Sequence, residues 1–190
     1  MTQEEILDIF HQTGGVLKGH FRLTSGRHAD TYMQCAKLFS DASRSEKLCK
    51  ELSGKLAGYG ANLVVSPAVG GILMGYEVSR HLNLKNIFAE RENGVFTLRR
   101  GFALPESARA VVVEDVVTTG GSVKEVIALI AGLGGKTVAV GSIVDRSAGK
   151  VNFGVPFESL LSLEIQSFAP EECPLCAEGR LPLYKPGSRM

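Results

Sequence analysis

Apolar and polar positions alternate along this chain with two different periods, and the switches between them outline its elements. Thr2-Gln3-Glu4-Glu5 has the spacing of a capping box, and Ile6, Leu7, Ile9 and Phe10 then form an apolar helical face that Gly14-Gly15 ends. Phe21, Leu23 and Tyr32 suggest short strands around a polar loop, Thr24-Ser25-Gly26-Arg27-His28-Ala29-Asp30. A helix begins at Asp41 or Ser43, with Leu48, Leu52 and Leu56 recurring every fourth residue until Gly58 and Gly60. Leu63-Val64-Val65 reads as a buried strand, residues 72–82 as a helix, and Ile87-Phe88-Ala89 as the next strand. Asn93-Gly94 between Glu90-Arg91-Glu92 and Val95-Phe96-Thr97-Leu98 is a strong hairpin signal, because that dipeptide accepts the positive φ angles of a tight turn.

The next segment carries the chemistry. Val111-Val112-Val113 is a β-branched run ending in Glu114-Asp115, and Thr118-Thr119-Gly120-Gly121-Ser122 makes a tight turn. Val123, Val126, Ile127, Leu129 and Ile130 then open a helical pattern, and residues 137–144 return as a strand. Residues 110–144 therefore have the size of a βαβ unit. Strands alternating with helices give an α/β fold with a mainly parallel sheet flanked by helices. The final stretch, with Pro170, Pro174, Pro182 and Pro186, is expected to be extended or irregular.

A strand, a glycine turn and a helix N-terminus together form an anion site, where loop amides and the helix dipole point at one spot. Two acids beside such a cradle make sense only if the ligand brings vicinal hydroxyls or a hard cation such as Mg2+. The spacing fits neither a nucleotide P-loop, which needs Gly-Lys-Ser/Thr, nor a Gly-x-Gly-x-x-Gly dinucleotide fingerprint. The plain reading is an ordinary strand-to-helix turn with Ser122 as N-cap, but it leaves Glu114, Asp115, Thr118 and Thr119 unexplained.

Glu114-Asp115-Val116-Val117-Thr118-Thr119-Gly120-Gly121-Ser122 resembles the phosphoribosyl diphosphate (PRPP) motif of type I phosphoribosyltransferases. The resemblance implies that Glu114 and Asp115 hold the ribose hydroxyls and that the Thr/Gly loop wraps the 5′-phosphate. It implies that fold for residues 1–190 as one domain, with a core over 41–165 and a hood made of 1–40 and the C-terminal segment. Ser66-Pro67-Ala68-Val69-Gly70-Gly71 resembles the family's pyrophosphate loop, in which Gly70 and Gly71 would let amides approach phosphate oxygens. As a bare pattern it is equally a plain glycine turn.

Asp145-Arg146 stands at a third strand end. An arginine grips a carboxylate with two parallel hydrogen bonds, and the orotate-using members carry such a pair at this place. Arg146, with Thr118 reaching the base, therefore favours orotate over uracil or a purine, the alternative being a salt bridge with Asp145 or another surface acid. Phe21-Arg22-Leu23-Thr24-Ser25-Gly26-Arg27 resembles the family's base-binding hood, which adds Ser25 and Arg27. The chain has Thr24 and Gly70 where many members have lysine, and a short lid over residues 91–101 with Arg91, Arg99 and Arg100 as its cations. These features, with the Gly-Val-Pro-Phe and Cys-Pro-Leu-Cys segments, resemble a shorter, Thermus-type branch of the orotate enzymes. The resemblance implies PRPP and orotate as substrates, Mg2+ held mainly by substrate, and a homodimer. A transferase for another base and a non-catalytic PRPP sensor are the rival readings.

Composition narrows the field further. The 190 residues suffice for one domain with a sizeable core, and a net charge of +1 gives nucleic-acid binding no support. No apolar run has the length of a membrane span, and the polar, acidic start is unlike a signal peptide, so a cytoplasmic protein is expected. Cys35, Cys49, Cys173 and Cys176 are then expected to be reduced. Cys173-Pro174-Leu175-Cys176 is a lone C-x-x-C with no second pair nearby, so it reads either as a turn with small buried thiols or as a metal or redox site, best as one shared across a dimer.

Overall fold

A computed structural model describes residues 1–23 and 25–186. The helices are α1 (Gln3–Gln12), α2 (Ala42–Leu56), α3 (Gly71–Leu82), α4 (Gly121–Gly132) and the short α5 (Pro174–Glu178). The strands are β1 (Val16–Arg22), β2 (His28–Met33), β3 (Leu63–Pro67), β4 (Lys85–Glu92), β5 (Val95–Leu98), β6 (Arg109–Val117), β7 (Lys136–Asp145), β8 (Phe157–Ser162) and β9 (Leu183–Tyr184).

The helix starts follow from their caps. Thr2 and Glu5 exchange the two hydrogen bonds of a capping box ahead of α1, and the Asp41 carboxylate accepts from the Arg44 amide ahead of α2. Leu48, Leu52 and Leu56 of α2 are all buried, as their spacing predicts. Asn93 and Gly94 both take positive φ, at 52° and 85°, and turn β4 into its antiparallel partner β5.

The main sheet has the order β5-β4-β3-β6-β7-β8, and every pairing in it except β4 with β5 is parallel. Alternate residues of its strands feed two cores. Val64, Val111, Val113, Ala139 and Ile143 pack with α1, α2 and α3 on one face. Leu63, Val65, Ala110, Val112 and Val140 pack with α4 on the other. From β3 the chain moves to β4 on one side and returns to β6 on the other. The switch in direction between β3 and β6 opens a crevice at their carboxyl ends, where ligands bind in open α/β sheets.

A second, three-stranded sheet of order β2-β1-β9 joins the two ends of the described chain. His28 also bridges Phe168, so the loop between β1 and β2 is held by C-terminal backbone. Two parts depart from the sequence expectations. β8 extends the main sheet beyond β7, and the proline-bearing C-terminal stretch contains α5 and β9 rather than being irregular throughout.

Candidate active site

Three loops meet at the carboxyl ends of β3, β6 and β7. In the first, the peptide between Ala68 and Val69 is cis, and Gly70 precedes α3. A Cβ built on Gly70 would lie 3.3 Å from both carboxylate oxygens of Asp115, so this loop directly faces Asp115 near the end of β6. Gly71 fits against Ser66 and the Val113 carbonyl, at 3.0 and 3.2 Å from where its Cβ would stand.

The second loop follows β6. Glu114 and Asp115 are its last acids before Val116-Val117, and the Asp115 carboxylate accepts from the Val116 amide at 2.9 Å. Burial raises the Asp115 carboxyl above its usual range, opposed by hydrogen bonds from the Val116 amide and from the Glu114 side chain. A carboxyl in this state gains from any incoming hydroxyl donor or cation. Thr118 and Thr119 are exposed in the turn. Gly120 stands at the helix cap with φ 72°, and a Cβ there would meet Phe153 and Val151 at 2.8 Å, so glycine is required on both conformational and steric grounds. α4 thus starts two residues earlier than a Ser122 cap would give. Ser122 lies inside its first turn, and no side chain caps the helix. Its leading amides and dipole are directed at the turn.

The third loop follows β7. The Arg146 amide donates to the Val117 carbonyl at 2.7 Å, which places Arg146 beside the Thr/Gly turn. The Asp145 carboxylate is committed to backbone, accepting from the Ser147 amide at 2.7 Å and the Gly149 amide at 3.4 Å. It therefore shapes the loop and does not take up the expected alternative of pairing with Arg146. The Arg146 Nε is buried without a hydrogen-bond partner. Burial lowers the affinity of this guanidinium for its proton, while Tyr32 and Cys35 act in the opposite sense. Tyr32 reaches the site from β2, and the same neighbourhood pushes the buried Cys35 thiol well up, through burial first and then the charge of Asp115. Sequence reasoning assigned Tyr32 only to a strand. Its signal was its place two residues from Asp30 on a strand of the hood.

The remaining candidates lie at the rim. Ser25 and Arg27 sit in the hood turn, where Arg27 donates to the Ser167 hydroxyl at 2.9 Å and to its carbonyl. Thr24 lies outside the described residues. Arg91 forms a two-pronged pair with Glu125 of α4 at 2.8 Å and stacks over Phe96 at 4.1 Å. Arg99 pairs with Glu92, and Arg100 with Glu90. Each lid cation is thus held by an acid. The lid's geometry links it to the helix that carries the anion site.

Comparison with known proteins agrees with this geometry. The family described as phosphoribosyl transferase domain matches residues 37–169. An orotate phosphoribosyltransferase of Caldanaerobacter subterraneus is 54% identical over 189 residues, covering 100% of this chain and 99% of the relative. One from a Thermoanaerobacter species is 57% identical with the same coverage, 100% and 99%. Among solved structures, orotate phosphoribosyltransferase from Aeropyrum pernix superposes with a TM-score of 0.72 at 25% identity, covering 84% of this chain and 94% of that one.

Proposed function

The chain belongs to the phosphoribosyl transferase family and, within it, to the orotate phosphoribosyltransferases, and from that premise we propose how its residues carry the reaction. The reaction transfers ribosyl 5-phosphate from PRPP to N1 of orotate. It gives orotidine 5′-monophosphate and diphosphate, a step in the making of UMP.

Orotate arrives as an anion, so little general-base work is needed. The costly event is cleavage of the bond from C1′ to diphosphate, which builds positive charge on the ribose and negative charge on the leaving group. Glu114 and Asp115 orient the ribose hydroxyls and offset the developing cation. The amides of Thr118, Thr119, Gly120, Gly121 and Ser122, following Val116-Val117, anchor the 5′-phosphate at the α4 N-terminus. Gly70 and Gly71 leave space for the diphosphate opposite Asp115. Arg146 fixes the orotate carboxylate, with Thr118 beside the base. The observation that carries this assignment is the buried, unpartnered Nε of Arg146 next to the Thr/Gly turn. A desolvated guanidinium edge is stabilised by a planar anion that satisfies it.

The donor set also fits Mg2+. Hard carboxylate oxygens of Asp115 face a glycine loop with room for phosphate oxygens, Glu114 is its neighbour in sequence, and an ion there would neutralise the leaving diphosphate. The β4–β5 hairpin closes over the site and limits hydrolysis of PRPP. A homodimer is supported by the exposed stripe of Val69, Leu73 and Tyr76 along the start of α3, which would place a second subunit beside the diphosphate loop. Among the described residues no helix is long and apolar enough to cross a membrane.

The test is loss of orotate absorbance with PRPP and Mg2+, against uracil, cytosine, hypoxanthine and adenine. Orotate consumption that needs both PRPP and Mg2+ is expected. Turnover of another base in its place would move Arg146 to a structural role.

A further inference from the structure

The C-x-x-C of the C-terminal segment does not lie alone. Cys173 and Cys176 face His20 of β1 and His28 of β2, and the four ligand-type atoms lie within 4.8 Å of one another. His20 Nε2 is 3.1 Å from His28 Nδ1, 3.5 Å from Cys173 Sγ and 3.6 Å from Cys176 Sγ. Cys176 Sγ is 3.2 Å from His28 Nδ1. A tetrahedral zinc, with bonds of about 2.1 Å to nitrogen and about 2.3 Å to sulfur, spaces its ligand atoms about 3.4–3.8 Å apart. These four separations therefore lie within a few tenths of an ångström of those the ion needs.

Three further observations point the same way. His20 Nδ1 lies 3.2 Å from the Leu181 carbonyl, which fixes that nitrogen as the N–H donor and leaves Nε2 as a bare lone pair aimed at the centre. His20 and His28 are only 4% exposed and Cys173 3%, so these polar groups are removed from water into a space where lone pairs outnumber protons. The hood itself is small. Its sheet has three strands, one of them the two-residue β9, too little to hold itself by burial alone.

We propose that His20, His28, Cys173 and Cys176 form an intramolecular structural zinc site that clamps the hood to the C-terminal segment. Four protein ligands close the coordination sphere, so the ion is structural and does no chemistry on substrate. His20 and His28 flank the loop that carries Ser25 and Arg27, and β2 carries Tyr32. The clamp thus fixes the elements that approach the base from above. The two-subunit version of the site is unnecessary, because one chain supplies all four ligands.

The test is the metal content of the full-length protein, isolated under reducing conditions without chelator. The expected result is about one zinc per chain. Replacement by cobalt(II) should give the intense visible bands of a tetrahedral ion together with thiolate charge transfer. Cys176→Ser and His28→Ala should each lose most of the metal. Cys176 is exposed, so its replacement by serine leaves no void in the core, and far-UV circular dichroism checks that the α/β domain stays folded. In the metal-depleted protein KM for orotate should rise more than KM for PRPP. Wild type that holds no zinc and takes up no cobalt, variants that bind metal as well as wild type, or a Cys173–Cys176 disulfide in the freshly isolated protein would each overturn the proposal.

Discussion

Gly70 and Asp115 stand face to face across the site, so close that a single added carbon on Gly70 would sit 3.3 Å from both carboxylate oxygens. The backbone of Gly70 is ordinary, with φ −59° and ψ −39°, so conformational freedom is not what the position requires. Space for ligand between the loop and the acid is the requirement. Gly70→Ala should leave the fold intact and weaken PRPP about tenfold, which is about 1.4 kcal/mol. Calorimetric titration of PRPP checks this, and unchanged affinity would mean the diphosphate lies elsewhere.

Gly120 contrasts with Gly70. Its φ of 72° and the 2.8 Å approach of Phe153 and Val151 make Gly120→Ala a folding lesion as well as a site lesion. Strain and overpacking together should cost at least about 2 kcal/mol. Thermal unfolding should show Tm about 4–8 °C lower. A variant as stable as wild type would contradict the packing described for the turn.

Asp115 trades stability for function. Burial raises its carboxyl in the folded state, so the folded protein binds that proton more tightly than the unfolded chain. The group therefore destabilises the free enzyme above its folded-state titration. That penalty disappears as pH falls below the ordinary aspartate range. Asp115→Asn should melt higher than wild type at neutral pH, with the difference shrinking in acid, while turnover falls by about 100-fold or more. Melting curves across pH, paired with rates, decide it. A lower Tm at neutral pH would show that the carboxylate is stabilised in the free enzyme.

Arg91 and Glu125 form one exposed unit joining the β4–β5 hairpin to α4. Breaking it from either side should have the same consequence. Arg91→Ala and Glu125→Gln should each speed amide exchange in the hairpin and cost less than about 1 kcal/mol of stability, and the double variant should add little. A large rate loss in Arg91→Ala alone would instead place Arg91 on the substrate.

Local signals were legible in the chain. The capping box of α1, the leucine spacing of α2 and the Asn93-Gly94 turn act over a few residues, and each appears where the pattern puts it. The acids late in β6 and the glycines after it were readable because one short segment carries both the strand end and the helix start. β8 was not. Its Phe157-Glu158-Ser159-Leu160-Leu161-Ser162 run is short and mixed, and its pairing with β7 alone leaves it an edge strand. The hood cluster was hidden for another reason. His28 and Cys176 are 148 residues apart in sequence, and tertiary contacts such as the β1–β9 pairing and the bridge from His28 to Phe168 bring those ends together. The pattern puts His28 in a polar loop and gives no signal at His20, whereas the structure places them in β2 and β1. Tyr32 escaped notice likewise, because its value lies in facing Arg146 from a different element.

Arg146→Ala, titrated separately with orotate and with PRPP, tests the central assignment most directly. Losing a buried, two-pronged carboxylate contact should weaken orotate by about 2–3 kcal/mol, some 30- to 150-fold, while PRPP affinity stays within about threefold. Equal weakening of both ligands, or of neither, would contradict the assignment of Arg146 to the base.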